Sequence, residues 1–368
     1  MPNDLRSIWG LARRLDATLA IRSQDLNLLE HRRVVAEPFS RERLFEKMSA
    51  GEPALFSDLA LRVDGRPEEP VRDRLLQLYR NGFSRLRRVS VQAGPSQRRE
   101  RVTVRELLRR WSGGRAVISV TDLHIRGTRV EPAIGIAALS DFNVLLLGSE
   151  DMALQEMMTL VISSAGNVTD SHSDDPDGSN HCFAGTKLWL AWDTFEGLHR
   201  GLQDNSRQEL HDSARFDMRV FLELPSSRWW LVTEGETLFL PGKLTHKVIT
   251  LEHYLGIGSF YVALPNALQT VMRWYDHGPL WSLTNAESRG LIDEIALAAA
   301  RKADQLRIGS NLERRRWGIA YLRGALERFE QEPAPVRAAL LRNAAFAELC
   351  RAAARVGPGE PSLLSAAS

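Results

Sequence analysis

Thr169-Asp170-Ser171-His172-Ser173-Asp174, then Gly185-Thr186-Lys187, then Gly235-Glu-Thr-Leu-Phe-Leu-Pro241 with His246 beyond it, decide how this chain reads. His172 and Asp174 lie two apart, so on a strand both side chains point to one face. The third run joins a turn glycine, a short apolar strand and a proline brake, which delivers His246 to the inner wall of a barrel. Two imidazoles and one carboxylate occupy one face of an octahedral ion and leave the other open, the donor set of a non-haem iron oxygenase. Lys187, fifteen residues after His172, stands where a cation could hold the far carboxylate of a dicarboxylic acid. It precedes the apolar run Leu188-Trp189-Leu190, where an unpaired ammonium is costly. Each fragment alone has an ordinary structural explanation. Order and spacing together carry the argument.

Outward from these residues, strand patterns dominate from Leu160 to Pro265, broken by Gly, Pro, Asp and Asn turns as a small barrel or β-sandwich requires. Upstream, residues before about Val35 read as helix, with Asp4 as an early cap and Leu11, Leu15 and Leu19 at helical spacing. Helices are also expected over Arg41 to Ser49, Arg72 to Tyr79 and Val102 to Trp111. Strands are expected at Ala54-Leu-Phe56, Arg88 to Gln92 and Ala116 to Leu123. After Trp274 the period turns helical. Glu287 to Ile308 carries Leu291, Ile295, Ala299 and Ala303 on one face. Asn311 can cap a helix running to Phe329, and Val336 to Val356 forms a third stretch behind Pro333 and Pro335. The apolar faces from about Leu291 to Leu349 suggest a homodimer. The tail from Gly357 is expected to be disordered.

Composition sets limits. The chain has 368 residues, 43% of them hydrophobic, enough for one main domain with helical additions. A net charge of +2 gives no strong pull toward nucleic acid or an anionic membrane, and the many arginines, spread among acids, read as a solvated surface. Cys182 and Cys350 cannot build a disulfide framework or a four-cysteine zinc module. No apolar run approaches membrane-spanning length, and the N-terminus does not read as a signal peptide, so a cytoplasmic protein is expected.

Over roughly Pro38 to Trp274 the chain resembles the JmjC group of iron(II)- and 2-oxoglutarate-dependent oxygenases. The run Phe39-Ser-Arg-Glu-Arg-Leu-Phe-Glu-Lys-Met-Ser-Ala-Gly-Glu-Pro53 looks like the family's opening helix and Gly-x-Pro strand start. The Thr-Asp-x-His-x-Asp segment, Lys187-Leu-Trp-Leu-Ala-Trp192 and Gly235 to Pro241 with His246 follow in the family's order. Within the group it is most similar to the plant-homeodomain-finger and F-box lysine demethylases and to the asparaginyl hydroxylase of hypoxia-inducible factor. The resemblance implies a mainly β core with α additions, of the double-stranded β-helix (cupin, jelly-roll) type, over residues 38–275. An N-terminal helical segment (1–37), a C-terminal helical segment (276–356) and a tail (357–368) flank it.

It further implies Fe(II) held by His172, Asp174 and His246, with 2-oxoglutarate and O2 as cosubstrates. Lys187 and Thr169 would bind the C5 carboxylate of 2-oxoglutarate. Thr169 lies three residues before His172, out of step with an ideal strand, so a bulge near it is required. Ser259 stands where many relatives place an asparagine and would make a shorter contact; the tyrosine that often completes the C5 pocket has no clear counterpart. The loop Asp175 to His181 sits where relatives contact substrate. Asp175 and Asp177 could attract a cationic substrate there, and His181, beyond a complete triad, is not expected to be a ligand. The implied activity is hydroxylation of an amino-acid side chain, in a protein or small metabolite, with succinate and CO2 as coproducts. N-methyl-lysine demethylation and a catalytically silent binding module are the alternatives.

Overall fold

The computed structural model describes residues 4–59, 61–84, 86–93, 98–114, 117–135, 141–154, 156, 158–174, 176–202, 216–242, 244–276 and 289–356. Its first five strands are β1 (Ala54–Phe56), β2 (Arg88–Ala93), β3 (Arg98–Thr103), β4 (Ile118–His124) and β5 (Thr159–Ser163). The next four are β6 (Val168–Ser173), β7 (Asp177–Ala184), β8 (Lys187–Asp193) and β9 (Arg228–Val232). The last three are β10 (Thr237–Leu240), β11 (Leu244–Thr250) and β12 (Tyr254–Tyr261). They form two antiparallel sheets. The larger has the order β1-β10-β7-β12-β5-β4-β2-β3 and the smaller β6-β11-β8-β9. The core is therefore mainly β, with helices added at both ends of the chain.

Alternation along the strands divides the apolar residues into three layers. Val161, Cys182, Leu238, Leu240 and Tyr254 of the larger sheet meet Trp189, Ala191, Trp230, Val232, Leu244 and Val248 of the smaller in one buried cluster, so these faces oppose each other. The other face of the smaller sheet, with Leu188, Leu190, Trp192, Trp229 and Ile249, is covered from the N-terminal segment by Trp9, Ala12, Leu19 and Leu29. Trp9 and Trp229 pack edge to face at 5.3 Å, and the Trp229 indole donates to the Leu29 carbonyl at 2.6 Å. The outer face of the larger sheet lies under Arg41–Ala50, Val104–Gly113 and the C-terminal helices.

The N-terminal segment differs from one continuous helix. Asp4 does cap Leu5–Leu15, accepting from the Ser7 amide. Asp16 then ends it, accepting from the Thr18 amide and hydroxyl and starting the short turn Ala17–Leu19 before a second helix, Leu26–Arg32. The helix expected from Val102 starts at Val104, because the Thr103 hydroxyl accepts from the Glu106 amide and caps it there. The preceding residues form β3, which the sequence did not suggest. Helix Asn311–Trp317 is capped by Ser310 rather than Asn311 and stops at Gly318, whose φ of 62° is left-handed; Ile319–Glu330 restarts beyond it. The stretch expected from Val336 to Val356 splits into Ala334–Leu340 and Ala344–Arg355, with Asn343 capping the second. The tail from Gly357 lies outside the described residues.

Helices Arg289–Arg307 and Ala344–Arg355 bury Ile295, Ala299, Ala303, Phe346 and Leu349 in the same continuous core as the outer face of the larger sheet. Much of the apolar surface on which the homodimer expectation rested is thus used within the chain, while Leu297, Ile308, Leu312 and Leu341 of the same segment stay exposed. Light scattering at micromolar concentration is expected to return the mass of one chain, since that burial leaves little continuous apolar surface; a doubled mass would bear out the homodimer.

Candidate metal centre and cosubstrate pocket

Strand pairing assembles the site. His246 on β11 sits directly opposite His172 on β6 and opposite Ala191 on β8. Asp174 follows the end of β6, and one donor atom from each of His172, Asp174 and His246 lies within 4.8 Å of the others. The two rings are 4.2 Å apart between centroids, and His246 Nε2 is 3.6 Å from Asp174 Oδ2.

Both imidazoles are oriented by backbone. His172 Nδ1 lies 2.7 Å from the Asp170 carbonyl and His246 Nδ1 3.3 Å from the Leu244 carbonyl. A carbonyl oxygen can only accept, so in each neutral ring the proton sits on Nδ1 and the Nε2 lone pair is left for a ligand. Burial holds the His246 imidazole well below its usual range, helped by neighbouring His172. Burial also pushes the Asp174 carboxyl up, with His172 pulling the other way. Two imidazoles and a carboxylate in a pocket that disfavours their net charge form a donor set whose deficit a divalent cation would meet. The residues therefore fit the implied metal.

The face carrying His246 continues to Lys187. Going away from the triad, Val248 and Thr250 of β11 lie opposite Trp189 and Lys187 of β8. The register on the other side slips between His246 and Val248: three steps along β6, from His172 to Thr169, match two steps along β11. This is the bulge that the Thr169 spacing demanded, and it returns Thr169 to the row of Val248. Gly185 turns the chain between β7 and β8 at a φ of 89°, where a Cβ would lie 2.2 Å from the His253 carbonyl. That tight turn sets Lys187 as the first residue of β8.

Lys187 is 4% exposed. Among the described residues no carboxylate stands in ion-pair reach of it; its ammonium lies 4.5 Å over the Tyr254 ring. Burial pulls its pKa down to about 8, opposed weakly by Cys182. Tyr254 in turn donates its hydroxyl to the Asn180 side-chain carbonyl. Between lysine and triad, the Trp189 ring is 5.3 Å from His246, and its buried indole N–H has no acceptor among the described residues. Such an orphaned donor beside an unpaired cation is costly unless an anionic, oxygen-rich molecule supplies both partners.

Two sequence assignments change. Ser259 pairs with Ser179, their hydroxyls 3.3 Å apart. It alternates in step with Ile257 and Tyr261, which lie in the helix-covered core, so it faces away from the triad. Asp177 is fully buried and accepts from the Gly242 and Ala263 amides and the Asn266 side chain, a structural clasp with nothing left for substrate. Asp175 lies outside the described residues. His181, as expected, is no ligand: Nδ1 bonds the Thr237 hydroxyl at 2.7 Å, the ring packs on Phe183, and burial holds its pKa near 4.

Tyr254 and Asn180 were missed as pocket residues. The available signal was alternation back from Phe260: positions 258, 256 and 254 share its face, and the two glycines leave Tyr254 alone to fill it. A surface cleft of about 620 Å3 lined by Asp64, Arg66, Glu69, Arg74 and Arg129 contains none of these residues. No protein-family model matches the chain, and no curated protein matches it.

Proposed function

We propose that the protein is an Fe(II)- and 2-oxoglutarate-dependent oxygenase of the JmjC type, built on a double-stranded β-helix. It would act in the cytoplasm on an amino-acid side chain of a protein or small metabolite. One observation carries this reading: a single interior face has a His-Asp-His donor set at one end and a buried, carboxylate-free lysine at the other. From Ala191, opposite His246, to Lys187 is four residues, or about 13 Å of strand. A lysine side chain and a five-carbon diacid together bridge that span. The two-sheet arrangement, with β6, β11 and β8 facing β7, β12 and β5, supports the β-helix assignment.

When bound, ferrous iron supplies the redox chemistry: 2-oxoglutarate, O2 and substrate become succinate, CO2 and hydroxylated substrate. The chain's own residues do the rest. His172 and His246 present fixed Nε2 lone pairs, and Asp174 supplies negative charge. Lys187 and the Thr169 row anchor the far carboxylate, Trp189 offers its N–H along the way, and Val161, Leu238 and Val248 exclude water.

Turnover assayed as succinate formation, with substrate mass shifts recorded, tests the reading; a gain of one oxygen is expected. Lys187→Ala should weaken 2-oxoglutarate about ten- to a hundredfold, the equivalent of roughly 1.5–3 kcal/mol for a charge-assisted bond. Lys187→Arg should rescue poorly, because the broader guanidinium would need a reshaped pocket at this buried position. In the free protein Lys187 is charged below pH 8 and loses its proton above, while a bound carboxylate raises its pKa again. The Kd for 2-oxoglutarate should therefore be flat up to about pH 8 and then rise by up to about tenfold per pH unit until the raised pKa is reached. A Kd that ignores both the substitution and alkaline pH would remove Lys187 from the pocket.

A further inference from the structure

The arginines are not uniformly dispersed. On the hairpin of β2 and β3, Arg88 pairs with Thr103, Ser90 with Arg101 and Gln92 with Arg99. Directly paired residues share a face, so Arg88, Arg99 and Arg101 stand together on one side, among Ser90, Gln92 and Thr103. The opposite side carries Val89, Val91 and Val102 in the core, and Glu100, which is claimed by Arg110. Arg88, Arg99 and Arg101 are exposed, and none has an ion-pair partner among the described residues. Arg87 and Arg105, also exposed and unpaired, flank the patch, joined by the Val104 amide donating to the Arg87 carbonyl. Several arginines elsewhere are matched, as Arg109 and Arg110 are by Glu106 and Arg355 is by Asp304 and Glu348.

This arginine face continues the interior face of the sandwich. One row of direct pairs runs Arg99, Gln92, Ser119, Ser163, Tyr254 across β3, β2, β4, β5 and β12. Tyr254 faces the interior, under Lys187. Eight strands in one sheet against four in the other leave β2 and β3 projecting past the smaller sheet. From Tyr254 to Arg99 is four strand spacings, about 19 Å. Among the described residues β3 is moreover the terminal strand, with β2 on one side only, so its outer edge offers backbone donors and acceptors to an extended chain.

We propose that the β2–β3 face is a docking surface for an acidic polypeptide, laid as an extended segment along the β3 edge with its carboxylates on Arg88, Arg99 and Arg101. In the oxygenase reading this segment flanks the hydroxylated residue; that role rests on that reading, whereas the docking itself does not. Nucleic acid is disfavoured, since the face carries no aromatic side chain for base stacking and the chain's net charge is only +2. Charged edges also guard sheets against aggregation, and that role needs no ligand.

Binding of a fluorescein-labelled oligoglutamate peptide to the full chain, by anisotropy without iron or cosubstrate, decides. Saturable, salt-sensitive binding is expected, tighter than that of an oligothymidylate of matched charge. Arg99→Glu/Arg101→Glu should weaken it by about tenfold or more, 1.4 kcal/mol being tenfold. Arg323→Glu, at a half-buried position of helix Ile319–Glu330 away from the hairpin, should leave it unchanged. No saturable binding at low salt, tighter oligothymidylate binding, or equal loss in Arg323→Glu would overturn the proposal. Because no turnover is read, none of these results depends on the metal centre.

Discussion

Replacing Asp174 by alanine is expected to abolish metal-dependent turnover, to lower ferrous-ion affinity by about a hundredfold or more, and to leave the fold intact. Changes one layer out from a metal typically cost 10- to 100-fold, so removing one of three protein donors should cost at least the upper end. The carboxylate is also the only anionic member of the cluster. The fold should survive because the surrounding interior is apolar and shared by both sheets, and because burial already disfavours the charged Asp174. Thermal unfolding separates the two effects. At a metal concentration a hundred times Kd the wild type should gain about 2.7 kcal/mol, and the variant essentially none. A variant that retained wild-type succinate production, or the same metal-induced stabilisation, would show that the triad is not the metal site.

Much of this site could be read from the chain because its constraints are local. The two-residue spacing of His172 and Asp174 and the three-residue offset of Thr169 fix faces on one strand, and the second required the bulge found opposite His246 and Val248. Ser259 failed for the complementary reason. It alternates in step with Ile257 and Tyr261, and only the packing of the helices shows that this face of β12 is the one turned away from the triad. β3 escaped notice because Arg98-Arg-Glu-Arg-Val-Thr103 has only one apolar residue; pairing with β2, not its own pattern, makes it a strand. Tyr254 and Asn180 needed the two sheets to be stacked before either could be set beside Lys187. The arginine cluster is likewise a product of pairing, since residues 88, 99 and 101 adjoin only across the hairpin.

The N-terminal segment shows the same limit, and gives the second large expected effect. Lys247 follows His246 of the triad but points to the other face of β11, where it is fully buried. Its ammonium lies 2.9 Å from Asp16, at the end of the first helix, and 3.7 Å from Asp170, whose carbonyl orients His172. Burial alone would raise the Asp16 carboxyl; Lys247 and the Thr18 hydroxyl hold it below the usual range instead. Lys247→Met should therefore destabilise the protein by about 3–5 kcal/mol at neutral pH, the usual cost of stranding a buried charge. The sign of the pH dependence follows. A depressed carboxyl pKa stabilises the wild type above the ordinary carboxylate range, and that contribution fades as pH falls through the folded value. In Lys247→Met burial is no longer opposed by the ammonium, so acid neutralises a stranded charge. The gap between variant and wild type should shrink as pH is lowered toward the carboxylate range. Asp16→Asn should cost less, because Asp170 still faces the lysine. Denaturant unfolding of the three proteins at neutral and mildly acidic pH measures this directly. Equal stabilities at neutral pH would mean that water reaches the pair, and that the N-terminal helix braces the smaller sheet through Trp9 and Leu29 packing alone.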